Sequence, residues 1–143
     1  MFHLPQKTST YSNYLQRPRA VQRHVAKPAP AEMLTSTRVA ERCGVSLRQI
    51  QWWDEQGVVS PRQDGHSRIY TEAEARLVGL VAALRRKGLS LHQIRKGMPA
   101  LRRAQPGEFV VQDRRAWRIC STVEAVSKMA LEATGPVVVV RVP

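Results

Sequence analysis

Ser46-Leu47-Arg48-Gln49-Ile50-Gln51-Trp52-Trp53-Asp54-Glu55 is the stretch from which the fold is read. Ser46 is a strong helix N-cap, and Gln49 stands three residues on, where its side chain can return to the Ser46 amide. Cys43-Gly44-Val45 precedes it and supplies a glycine stop for an earlier helix, so two short helices meet at a sharp corner. At about 100° per residue, Leu47, Ile50 and Asp54 share one side, with Trp53 at its margin. Arg48, Gln51, Trp52 and Glu55 share the other. An apolar anchor beneath Arg, Gln and an indole N–H suits a helix lying in a major groove, since Arg and Gln can pair bidentately with base edges. The same ten residues also suit an ordinary surface helix with tryptophans in the core, and their neighbours decide between the two.

Upstream, Thr35 or Ser36 can cap a helix running to about Arg42, with Val39, Ala40 and Cys43 inward. Downstream, the Ser46 helix stops at Gly57. Val58–Arg62 and Ser67–Tyr70 then read as short strands around Asp64-Gly65, a hairpin placed where a wing would follow a helix-turn-helix. Thr71-Glu72-Ala73-Glu74 is a second capping box, opening a helix with Leu77, Leu80, Val81 and Leu84 as its stripe and Gly88 as its stop. Ser90-Leu91-His92-Gln93 is a third. It starts a helix with Leu91, Ile94 and Met98 inward, which Pro99 is expected to end or kink.

The 143 residues carry a net charge of +12 and a pI near 11.0, a balance that implies a polyanionic partner. Nucleic acid and an anionic membrane surface both answer to it. No apolar run approaches the roughly 20 residues of a spanning helix, and no signal-peptide core follows Met1, so a cytoplasmic location is expected. Residues 1–31 hold Lys7, Arg17, Arg19, Arg23 and Lys27 with no acid and are broken by four prolines. They read as a disordered basic arm, which either touches DNA backbone or serves only as an extension. Cys43 and Cys120 have no ligand spacing with His3, His24, His66 or His92, so neither metal nor cofactor is expected. No nucleophile motif or phosphate loop points to an enzyme.

From Leu34 to about Met98 the chain resembles the winged helix-turn-helix domain of the MerR family of bacterial transcription regulators. The resemblance is carried by Val39-Ala40, Gly44-Val45-Ser46, Ile50, Trp52-Trp53-Asp54-Glu55-Gln56-Gly57, Arg68-Ile69-Tyr70-Thr71, Leu84–Leu91 and Ile94. It implies a DNA-binding protein of the bacterial nucleoid, working as a homodimer on an inverted repeat, with RNA polymerase at a promoter as a further partner. It implies that Arg48 contacts the major groove or its flanking phosphates, and that Trp52 replaces a phosphate-contacting tyrosine. Gln51 stands where an arginine is common, which favours adenine over guanine. Arg68 and Tyr70 would grip the backbone from the wing. Arg38 adds charge near the start of the first helix, and Ser46, Gln49 and His66 complete the expected DNA-binding set. An excisionase-like architectural protein that bends DNA without gating a promoter would use the same fold.

Members of that family commonly continue into a long dimerisation helix, which Pro99 and Pro106-Gly107 oppose here. Glu108–Val111 and Trp117–Cys120 read instead as strands, Ser121-Thr122-Val123-Glu124 as a fourth capping box, and Val137–Val142 as a strand with almost no polar side. The expected fold is therefore mainly α: four helices and a wing over residues 32–103, then a β-β-α-β unit over residues 104–143. That unit is too small to bury a core alone. It either replaces the missing helix in dimerisation or caps the preceding domain.

Overall fold

The structure, a computed structural model, describes residues 32–143; the basic arm expected over residues 1–31 lies outside them. The elements run β1 (Leu34–Thr35), α1 (Ser36–Cys43), α2 (Leu47–Glu55), β2 (Arg62–Asp64), β3 (Ser67–Tyr70), α3 (Glu72–Arg86), α4 (Leu91–Arg103), β4 (Phe109–Gln112), β5 (Trp117–Cys120), α5 (Val123–Glu132) and β6 (Val138–Arg141). Five helices accompany two small antiparallel sheets, so the class is mixed α/β rather than mainly α.

Local chemistry sets most boundaries. Thr35, Ser46, Thr71 and Ser90 each accept a hydrogen bond from the backbone N–H three residues on. At Ser46, Thr71 and Ser90 a Gln or Glu side chain returns the bond, completing the box. The fourth box does not form: Thr122, not Ser121, caps α5, by accepting from Ala125 N–H. That choice places Glu124 at the second helical position, too early to reach back.

Two further expectations change. The wing's first strand is Arg62–Asp64, because Val58 and Val59 are buried in the core instead of extending the hairpin. Helix α4 runs through Pro99 to Arg103. Arg95 and Pro99 both lie on its exposed side, where the carbonyl that loses its partner can be hydrated.

The first sheet has the order β1-β3-β2, with Leu34 opposite Tyr70 and Arg62 opposite Ile69. Two residues, β1, close it against α1. Helices α1 and α2 form the corner, α1 packs on α3, and Arg42 joins Glu72 across that contact at 2.8 Å. The second sheet has the order β5-β4-β6, with Val110 between Ile119 and Val140. Its strands alternate. Val110, Trp117, Ile119, Val138 and Val140 join the core of the first domain, resting on α3 and α4. On the other face the Cys120 thiol reaches Met129 of α5.

One hydrophobic cluster thus runs from Leu34 to Val142. Gly97 of α4 shows how close the approach is: a Cβ there would stand 2.3 to 2.7 Å from the Trp117 ring. Helix α5 is different, since none of its side chains is fully buried and Val123 and Leu131 are exposed.

Candidate nucleic-acid interface

The corner before α2 is tight. Gly44 takes φ 66°, a left-handed value that favours glycine, and its N–H bonds to the carbonyls of Ala40 and Glu41. Val45 N–H follows onto the Ala40 carbonyl at 3.0 Å. Ser46 and Gln49 then exchange bonds of 3.1 and 2.9 Å. Both side chains are exposed, and both are already engaged in fixing the start of the helix.

Beneath α2, Ile50 and Trp53 are 3% and 2% exposed. Trp53 is central to the buried face rather than marginal. Leu47 corrects the sequence reading in the other direction, at 51% exposed. It occupies the first helical position, where a side chain leans back over the preceding corner instead of down onto the core. Above, Arg48, Gln51 and Trp52 all face solvent, Trp52 at 44%. Gln51 donates to Glu55 one turn on at 3.2 Å, an exposed bond that a base edge can replace.

The wing is attached to this helix by charge. Arg68 Nε donates to Asp54 Oδ2 at 2.6 Å, with the two side chains 29% and 18% exposed. Arg68 is therefore the residue that fixes β3 to α2, and only the rest of its guanidinium remains for a phosphate. Asp54, expected on the inward side of α2 with no partner named, is half of that lock. The contact joins residues fourteen positions apart, with no local spacing to announce it.

Tyr70 corrects the expectation most clearly. It is 0% exposed, enclosed by β1, α1 and α3, and cannot grip a phosphate with its side chain. Its hydroxyl lies beside Ser36 without reaching hydrogen-bond geometry with any described residue, and burial pushes the phenol above its usual range. His66 sits exposed in the two-residue turn closing the wing, where Gly65 takes φ 60°. Arg38 is exposed on the first turn of α1. Arg62 and Gln63, missed in the sequence reading, extend the wing's exposed face. The available signal was the wholly polar run Arg62-Gln63-Asp64 leading into the turn glycine, Gly65.

Cys43 is enclosed between α1 and α3, its thiol directed at the Ala75 carbonyl at 3.6 Å. Burial raises its pKa against the opposing pull of Arg42 and Arg86. A thiol so held is a poor nucleophile or ligand.

Residues 34–101 match the family model described as MerR HTH family regulatory protein. Over 62 residues the chain is 39% identical to Nodulation protein NolA of Bradyrhizobium elkanii, a match covering 42% of this chain and 28% of that protein. The match thus spans little more than a quarter of that relative's length. Among solved structures, the chain is similar to HiNmlR, a MerR family regulator lacking the sensor domain, bound to promoter DNA. That similarity has 22% identity and a TM-score of 0.45, over 48% of this chain and 54% of the other. Residues 34–101, a little under half of the chain, are thus similar to the helix-turn-helix domain of MerR family regulatory proteins.

Proposed function

We propose that the protein is a sequence-specific regulator that lays α2 in the major groove of double-stranded DNA and rests its wing on the adjacent backbone. One observation carries this reading. Arg48, Gln51 and Trp52 form the exposed face of a helix seated on Ile50 and Trp53, and the Arg68–Asp54 pair fixes the wing beside it. Arg48 and Gln51 are the base readers in this arrangement. Trp52, Arg38, His66 and the free part of Arg68 contact phosphates, while Ser46 and Gln49 hold the helix start in register.

The functional unit is a homodimer on an inverted repeat, joined through residues 104–143. The support is the outer face of α5, where Val123 is 60% and Leu131 87% exposed. Removing residues 104–143 would also take Val110, Val140 and Val142 out of the cluster that holds Leu101, so the sharper test is Leu131→Glu with Val123→Glu. This protein should sediment as a folded monomer.

Selection from a random duplex pool tests the whole reading. A two-fold motif is expected, and Arg48→Ala should lose about 1–3 kcal/mol of discrimination at one base position. An unaltered motif from Arg48→Ala would remove it from the base readers. The architectural alternative draws support from the way α4 stops at Arg103 and gives way to β4. Direct repeats, or no motif, would favour it.

A further inference from the structure

Beside the wing and α2, a second charged surface belongs to neither. An open groove of about 850 Å³ runs between the end of α3, the outer side of α4 and the β4–β5 turn. Lys87, Lys96, Arg103, Arg114 and Arg115 line it, with Asp113 as its one acid. All five cations are exposed, and none forms a salt bridge among the described residues.

Asp113 offsets only one of these five charges. Its Oδ1 accepts from the N–H groups of Arg115 and Ala116, each at 2.7 Å, so the carboxylate closes the turn that displays the arginines. Those two bonds also hold its pKa below the usual carboxylate range. Arg114 is seated as well: its Nε would lie 3.2 Å from a Cβ on Gly135, which leaves the space open by having none.

We propose that the C-terminal unit, through this turn, completes a groove that takes the phosphate backbone of the same duplex that α2 reads. The inference rests on that reading of α2. Five like charges around one groove repel one another, and a polyanion relieves the repulsion while releasing counterions. The groove is open to solvent rather than an enclosed cavity, so a phosphate backbone can reach its cations. Lys96 and Arg103 are seven residues apart on one helix face, about 10 Å at 1.5 Å per residue, within reach of successive phosphates on one strand. A cation neighbouring the groove approaches the start of the reading helix. The Arg86 guanidinium, next to Lys87, would lie 3.7 Å from a Cβ on Gly44, at the corner from which α2 starts.

The test is a salt series on the full chain with a duplex of about 30 base pairs, carrying the selected motif or a shuffled one. Arg114→Ala/Arg115→Ala and Lys96→Ala/Arg103→Ala should each flatten the plot of log affinity against log salt by about 2, since each phosphate contact contributes roughly 0.9. Base preference should stay as it was, and Arg114→Lys/Arg115→Lys should restore the slope. Unchanged slopes in both double variants, beside an altered motif in Arg48→Ala, would overturn the groove and leave the α2 reading standing. Kept DNA slopes with lost binding to poly-glutamate would assign the groove to an acidic protein segment instead. No duplex binding at any salt would remove both readings together.

Discussion

The described residues hold two three-stranded antiparallel sheets that are stabilised in opposite ways. The wing sheet has one strand, β2, that is exposed at every residue, and it is tied to the body by Tyr70 at one end and by the Arg68–Asp54 pair. The β4–β6 sheet shares one core with α3 and α4 on one face and meets α5 on the other, where Val111 and Cys120 are buried beside exposed Arg118 and Arg141. A contact surface has to remain solvated, so its position must be fixed by a few specific bonds. A packed sheet is fixed by area, at roughly 25 cal/mol for each Å² of apolar surface removed from water. Changes to the two sheets should therefore fail differently.

The largest effect is expected where the packed sheet meets α4. Gly97→Ala drives a methyl into the Trp117 ring and should cost about 1–3 kcal/mol by overpacking. Urea denaturation measures it, and an unchanged midpoint would show that the sheet can move away freely. Next comes Asp54→Ala, which leaves Arg68 without its partner. The pair lies between the exposed and buried extremes, so about 1–2 kcal/mol is expected. Hydrogen exchange should quicken in β2 and β3 while β4 stays protected, and equal quickening in both sheets would erase the distinction drawn here.

Tyr70→Phe should matter less, because the hydroxyl it removes is buried without a hydrogen-bond partner among the described residues. The change is expected to fall within about 1 kcal/mol at neutral pH. Its signature lies at alkaline pH. Burial holds the folded phenol above its ordinary pKa, so the unfolded chain releases its proton first, and stability falls as pH rises from the unfolded toward the folded pKa. Thermal melts of Tyr70→Phe should lose that share of the alkaline decline; an unchanged decline would assign it to other groups. The smallest effect on stability belongs to Arg62→Ala on the exposed strand, within about 0.5 kcal/mol. If the wing rests on DNA, that variant should still flatten the salt dependence of binding by about 0.9.

The helices were legible in the sequence because their start signals are local. Ser46 with Gln49, Thr71 with Glu74 and Ser90 with Gln93 lie three residues apart and form as read. What the sequence hid depends on partners far along the chain. Strand β1 is only Leu34 and Thr35, and it exists because Tyr70 and Ile69 lie opposite. Tyr70 turns inward where β1, α1 and α3 close over it, although its place beside Arg68 suggested the DNA side. Pro99 marks a break by local rules, yet α4 continues because the lost bond faces water and Met98, Ala100 and Leu101 are buried on either side of it. Of the expected site, Arg48, Gln51, Trp52 and His66 are exposed as anticipated, whereas the Asp54 lock and the groove cations become apparent only when distant elements meet.

The position of β6 bears on how the molecule is made. Strand β4 receives β5 from its immediate neighbourhood, but its other edge waits for β6, and the Val142 and Glu108 backbones clasp that late arrival at 2.8 Å. During synthesis the helices of residues 34–101 can leave the ribosome and associate while that edge of β4 is still bare. Until Val138–Arg141 emerges, a row of unpaired backbone groups beside buried valines is open to any passing strand. The edge of β4 is therefore most vulnerable until Val137-Val138-Val139-Val140 has been made, and that run of valines is itself prone to pair with a wrong neighbour.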